Sequence, residues 1–144
     1  MLQPSEDLEM GCWAIDSFSN DDAADWIAEL TEQDDWTPVD EALATVVETI
    51  EYVEAPEAAE GLAAAEVVAA ALGRPGPAAT ANPALVKWLA RTQPRPSRQQ
   101  VETAAKAVAR VLAEDSELRE LWAETSDFEA WRTDVEGLLA RLNV

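Results

Sequence analysis

Apolar side chains recur along this chain every three or four residues and nowhere alternate convincingly, the pattern of helices that each bury one stripe. The clearest run is Val39, Leu43, Val46, Val47, Ile50 and Val53. It follows Thr37-Pro38, which reads as a cap with proline at the first helical position. An earlier helix begins at Ser19 or Asn20. Asp21, Asp22 and Asp25 fall in its first turns, where negative charge suits the helix dipole, and Ala23, Trp26, Ile27 and Leu30 form its stripe. Pro56 interrupts the pattern, since it lacks an N–H and disfavours helical geometry before it. An alanine-rich helix over residues 57–72 follows, stopped by Gly73 and Pro75.

Residues 74–81 read as a Pro/Gly/Ala linker. Asn82-Pro83 then opens a short helix carrying Leu85, Val86 and Leu89. Ser97 and Gln100 form a capping box for a helix with Val101, Ala104, Val108, Val111 and Leu112 as its core positions. Ser116 caps a short helix with Leu118, Leu121 and Trp122. Ser126 and Glu129 form another capping box, ahead of a stripe of Phe128, Trp131, Val135, Leu138, Leu139 and Leu142. The pattern predicts an all-α fold, a compact bundle of six to seven helices in orthogonal or irregular packing. Residues 1–9 read as a flexible acidic extension, residues 11–18 as an ordered loop or short extended segment, and residues 10–144 as a single domain.

Composition supports a packed core: 48% of the 144 residues are hydrophobic and six are Trp. Charge changes the picture more. Residues 1–73 contain nineteen acids and no Lys or Arg, whereas residues 74–144 contain ten acids and ten bases. The net charge of −19 therefore belongs to the first half, with acidic helices over about 20–72, the linker at 73–82 and neutral helices over about 83–142. A one-signed field costs stability through self-repulsion and attracts the opposite sign. Nucleic acid and anionic membranes are poor partners for such a surface. No apolar run reaches the ~20 residues that span a bilayer. The N-terminus lacks a signal peptide's basic and apolar regions, and the lone Cys12 permits no internal disulfide, so a cytoplasmic location is expected.

Absent residues exclude much chemistry. Without histidine there is no Ser-His-Asp or Cys-His nucleophile and no His-ligated metal, and one cysteine cannot build a thiolate zinc site. Gly73-Arg-Pro-Gly76 is too short for a phosphate loop. Carboxylates remain. The acids around the first helix lack the mid-loop glycine and the final bidentate acid of a calcium loop. Glu48, Glu51, Glu54, Glu57 and Glu60 recur every third residue, a ladder that could hold magnesium if a second acidic helix faced it, although Pro56 breaks it. Trp36, among Asp34, Asp35 and Thr37, fits no core stripe and reads either as an exposed interface anchor or as local packing.

The segment Met10-Gly-Cys-Trp-Ala-Ile-Asp-Ser-Phe-Ser-Asn-Asp-Asp-Ala-Ala-Asp-Trp26 resembles the opening of a bacterial domain-of-unknown-function family, number 4259. Glu54-Ala-Pro-Glu57, Ala64-Ala-Glu-Val-Val68, Leu72-Gly-Arg-Pro75 and Ser116-Glu-Leu-Arg-Glu-Leu-Trp122 look like it too, so the resemblance spans about residues 10–142. Ala14 and Asp16 stand where family members usually have glycine. The resemblance implies a small bacterial cytoplasmic protein and brings no established activity, cofactor or catalytic residue.

Three functional readings follow. The first is a non-catalytic interaction protein of the immunity or inhibitor type, binding a basic protein partner through Asp21, Asp22, Asp25, Glu29, Asp34, Asp35 and Trp36, with no cofactor. The second is a divalent-metal-dependent phosphohydrolase using Glu48, Glu51, Glu57 and Glu60. The third is plain structural acidity adapted to high salt.

Overall fold

The computed structural model describes residues 21–143; the expected N-terminal extension, the segment over residues 11–18 and the cap at Ser19 or Asn20 lie outside them. The described residues are all-α, with eight helices. These are α1 (Asp21–Thr31), α2 (Thr37–Glu48), α3 (Ala55–Ala71), α4 (Pro77–Thr80), α5 (Pro83–Thr92), α6 (Arg98–Leu112), α7 (Glu117–Ala123) and α8 (Phe128–Leu142). The count exceeds the expected six to seven because the linker contains α4. This is a single turn started by Pro77, too short to show any period.

The centre of the fold is α3. Residues 58–69 are buried except for Glu60, so this helix has no polar face, which marks a helix surrounded by others. It packs against α1, α2, α4, α6, α7 and α8. Its surface is mostly alanine, which allows close approach. At Gly61 an added Cβ would sit 2.6 Å from the Val46 Cγ2 of α2. The C-terminus of α3 closes in a Schellman motif: Gly73 takes a φ of 85°, its N–H bonds to the Ala70 carbonyl at 3.0 Å, and the Arg74 N–H reaches the Ala69 carbonyl at 2.9 Å. The hydrophobic core runs from Ala23 to Leu142 and draws on both halves of the chain.

One charge enters this core. Glu66 on α3 is 3% exposed, and its two carboxylate oxygens accept from Arg141 Nη1 and Nη2 of α8 at 3.1 and 3.3 Å. Arg141 also donates to the Arg74 carbonyl at 3.2 Å. The chain passes close beside the guanidinium at Gly76, where a Cβ would meet Arg141 Nη2 at 2.9 Å.

Several expected signals act as read. Asn82 accepts from the Leu85 N–H, and Ser97 and Gln100 form the reciprocal capping box of α6. Ser116 accepts from the Arg119 N–H at the start of α7. Others do not. The expected box at Ser126 and Glu129 is not made: α8 starts at Phe128, the Thr125 hydroxyl accepts from the Asp127 N–H, and Glu129 pairs with Arg132 at 2.6 Å. Thr37 is not a cap but the first helical residue, and Asp35 accepts from both its N–H and its hydroxyl. The stripe drawn from Val39 to Val53 stops early, because Thr49 turns extended after Glu48. Ile50 is consequently exposed rather than core, and Val47, still helical, lies on the flank of α2 outside its core sector.

Two substitutions test this packing. Gly137→Ala on α8, where a Cβ meets nothing within 4 Å, should stabilise by about 0.5–1 kcal/mol through helix propensity. Gly61→Ala has the same intrinsic gain but must displace Val46, so it should fall about 1–3 kcal/mol below Gly137→Ala in chemical denaturation; equal effects would refute the close α2–α3 contact. Arg141→Met leaves the Glu66 carboxylate buried without its guanidinium and should cost about 3 kcal/mol in the same assay.

Candidate functional site

Two acid groups that are distant in sequence meet where α1 crosses the N-terminal end of α3. Asp22 and Glu29 lie seven residues apart on α1, hence on one helix face. They confront Glu57 and Glu60 of α3, because all three of Asp22, Glu57 and Glu29 act electrostatically on Glu60. Burial pushes the Glu60 carboxyl above its ordinary range, and repulsion from Asp22, Glu57 and Glu29 adds to the shift. Glu60 lines an open cleft of about 520 Å³ together with Trp26 and Glu29 of α1, Asp35 before α2, and Pro38, Glu41, Ala42 and Thr45 of α2. No Lys or Arg lines it.

The remaining candidates divide. Asp21 and Asp25 stay exposed on α1. Asp34 is held by Arg91 of α5 at 2.8 Å, and Arg91 also donates to the Thr31 carbonyl. Asp35 is occupied with Thr37, whose backbone N–H first and hydroxyl second hold its carboxyl below the usual range. Trp36 is half-buried rather than exposed. It stacks on Trp88 with ring centroids 6.0 Å apart and planes 12° from parallel, while Trp88 Nε1 donates to the Gln33 carbonyl. The α1–α2 connection is thereby clasped to α5, and local packing is the role that Trp36 visibly fills.

The glutamate ladder does not form one face. Glu48 ends α2, Glu51 lies in the α2–α3 connection with its carbonyl bonded to Arg110, Glu57 sits in the first turn of α3, and only Glu60 lines the cleft. Helix α2 stops before the ladder's second rung, which breaks the register a shared face requires. Among the described residues no three His, Cys, Asp or Glu side chains are placed to hold a metal ion. Sequence reasoning missed Glu41 and Thr45. Their signal was the spacing Pro38, Glu41, Thr45, one face of α2 beside its apolar stripe.

The family model described as a domain of unknown function (DUF4259) matches residues 11–134, and the chain belongs to that family. No curated protein and no solved structure matches it. No helix of the described residues is long and apolar enough to cross a membrane.

The strain at Glu60 has a definite pH signature. Its folded carboxyl holds a proton more tightly than the unfolded one, so stability falls as pH rises from the ordinary glutamate range through the raised folded value. Glu60→Gln should therefore stabilise by about 0.5 kcal/mol at neutral pH, the size of one or two like-charge contacts. The gain should vanish below about pH 4 and shrink in added NaCl. Melting curves at both pH values check this, and an equal gain at each would show that charge is not the cause.

Proposed function

We propose that this DUF4259 member is a non-catalytic interaction protein of the bacterial cytoplasm, of the immunity or inhibitor type, which binds a basic protein partner through the carboxylate cleft between α1, α2 and α3. The observation that carries this reading is the cleft's composition. Glu29, Asp35, Glu41 and Glu60 line about 520 Å³ of open space beside Trp26, and among the described residues no Lys or Arg lines it. A Lys or Arg side chain from a partner would relieve the repulsion on Glu60 and place its charge near the indole of Trp26, a favourable arrangement for a cation. The surrounding acids Asp21, Asp22 and Asp25 extend the field outward and speed encounter with a positive surface. Asp34 and Trp36 do not line the cleft; paired with Arg91 and stacked on Trp88, they fix the connection that carries Asp35.

Capture from the lysate of the source organism tests the reading. The wild-type protein should retain one basic protein, with an association rate that falls steeply as salt rises. A variant carrying Asp22→Asn, Glu29→Gln and Glu60→Gln should lose it, while the fold survives because the amides keep the side chains' size and remove their mutual repulsion. Retention by the variant with unchanged salt dependence would reject the cleft as the binding site.

A further inference from the structure

On the other flank of α2 lies a second surface that the cleft does not explain. Val47, Ile50 and Tyr52 are 37%, 93% and 43% exposed. This exposure is not fraying. After Glu48 the chain turns extended at Thr49, and Val53 is fixed in a parallel bridge to Ser116. The Val53 N–H bonds to the Asp115 carbonyl at 3.0 Å, and the Glu117 N–H bonds to the Val53 carbonyl at 2.9 Å. Arg110 holds the Glu51 carbonyl, and the Tyr52 hydroxyl donates to Glu120 Oε1 at 2.7 Å. That bond, with the neighbouring acids, pushes the Tyr52 phenol up to about 12, so it stays a neutral donor at any ordinary pH. Ile50 is thus presented to solvent on a strap tied at both sides, with its ordering cost already met by the fold.

The surroundings define what fits. A groove of about 410 Å³ between α2 and α6 runs up to this patch, lined by Asp40, Ala44, Val47, Glu48, Gln100 and Thr103, among others. Glu48, Glu51 and Glu54 interleave with the apolar residues, and Glu120 closes the far side. The nearby base, Arg110, is committed to the carbonyls of Glu51, Glu114 and Asp115. An apolar centre inside a charged rim is the anatomy of a protein interface. The rim's negative excess, Glu48, Glu51, Glu54 and Glu120 against the one guanidinium of Arg110, selects the partner. A second copy would bring Glu48, Glu51 and Glu54 against an equally acidic molecule, and like charges across an interface are strongly disfavoured.

We propose that this surface docks a basic amphipathic segment of a partner protein, its apolar side chains covering Val47, Ile50 and Tyr52 and its Lys or Arg residues meeting Glu48, Glu51, Glu54 and Glu120. It is separate from the carboxylate cleft and does not depend on it.

Fluorescence anisotropy with labelled synthetic helical peptides tests the assignment at physiological salt. A peptide with Lys and Leu at helical spacing should bind about tenfold or more tighter than a Lys/Ser peptide of equal charge, the difference expected from burying apolar side chains. Ile50→Asn should remove that advantage without lowering the melting temperature, since Ile50 touches almost nothing in the fold. The cleft variant Glu29→Gln/Glu60→Gln should keep it. Equal binding of the two peptides, or undiminished Lys/Leu binding by Ile50→Asn, overturns the proposal. So does a concentration-dependent dimer in sedimentation that Ile50→Asn abolishes, because the surface would then belong to a second copy. Loss of binding in the cleft variant alone would also overturn it, while leaving the cleft reading intact.

Discussion

The fold depends on how closely other helices can approach α3. Six of them pack against it, and a helix bearing long side chains would hold them apart at ordinary interaxial distances. Alanine and Gly61 remove that obstacle, at the cost of the amphipathic stripe that usually orients a helix. Orientation is restored by Glu66. A carboxylate at 3% exposure is costly unless paired, and Arg141 pairs it through two nitrogens. That contact ties the rotation of α3 to the placement of α8. The same guanidinium takes the Arg74 carbonyl, so it also fixes the path of the chain out of the Schellman turn.

This packing decides where the acids go. The flanks of α3 are inside, so its other carboxylates, Glu57 and Glu60, are confined to the first turns, with Glu54 just before them. There the helix dipole favours negative charge and offsets part of the repulsion. Because α1 lies along the same end, its acids Asp22 and Glu29 fall opposite, and like charges from two helices gather at the cleft and its edge. Glu60 registers the outcome in its raised carboxyl. The feature costs stability in isolation, and an opposite charge placed in the cleft would relieve it.

Much of this was legible in the sequence wherever local chemistry decides. The Asn82-Pro83 start, the Ser97–Gln100 box and the Gly73 stop depend on groups within a few residues of one another, so spacing alone reveals them. Where a choice depended on tertiary neighbours, spacing misled. Ser126 lost its box because Thr125 bonds the Asp127 N–H instead. Ile50 left the core because the bridge between Val53 and Ser116, sixty-three residues apart in sequence, ended α2 early. Trp36 fits no stripe, yet it has a stacking partner in Trp88 that no local pattern announces. Of the candidate site, the acids were visible as two clusters, but their convergence was not, since it follows from how α1 crosses α3. Glu41 escaped notice because a single acid on an exposed helix flank looks like ordinary solvated surface.

Helix α2 shows why one short element can carry two surfaces. At about 100° per residue, its core residues Val39, Ala42, Leu43 and Val46 occupy one sector of the helix. Pro38, Glu41 and Thr45 fall on one side of that sector and face the cleft. Asp40, Ala44, Val47 and Glu48 fall on the other and line the groove. The two flanks differ in chemistry, one rich in carboxylates beside the Trp26 indole, the other mixing Ala44 and Val47 with acids and amides. A basic partner of moderate size, straddling α2, would meet charge on one side and apolar anchorage on the other. Charge governs how fast such a partner arrives, and buried apolar area governs how long it stays. For a partner so placed, substitutions at Glu41 would be read chiefly in the association rate and substitutions at Val47 chiefly in the dissociation rate.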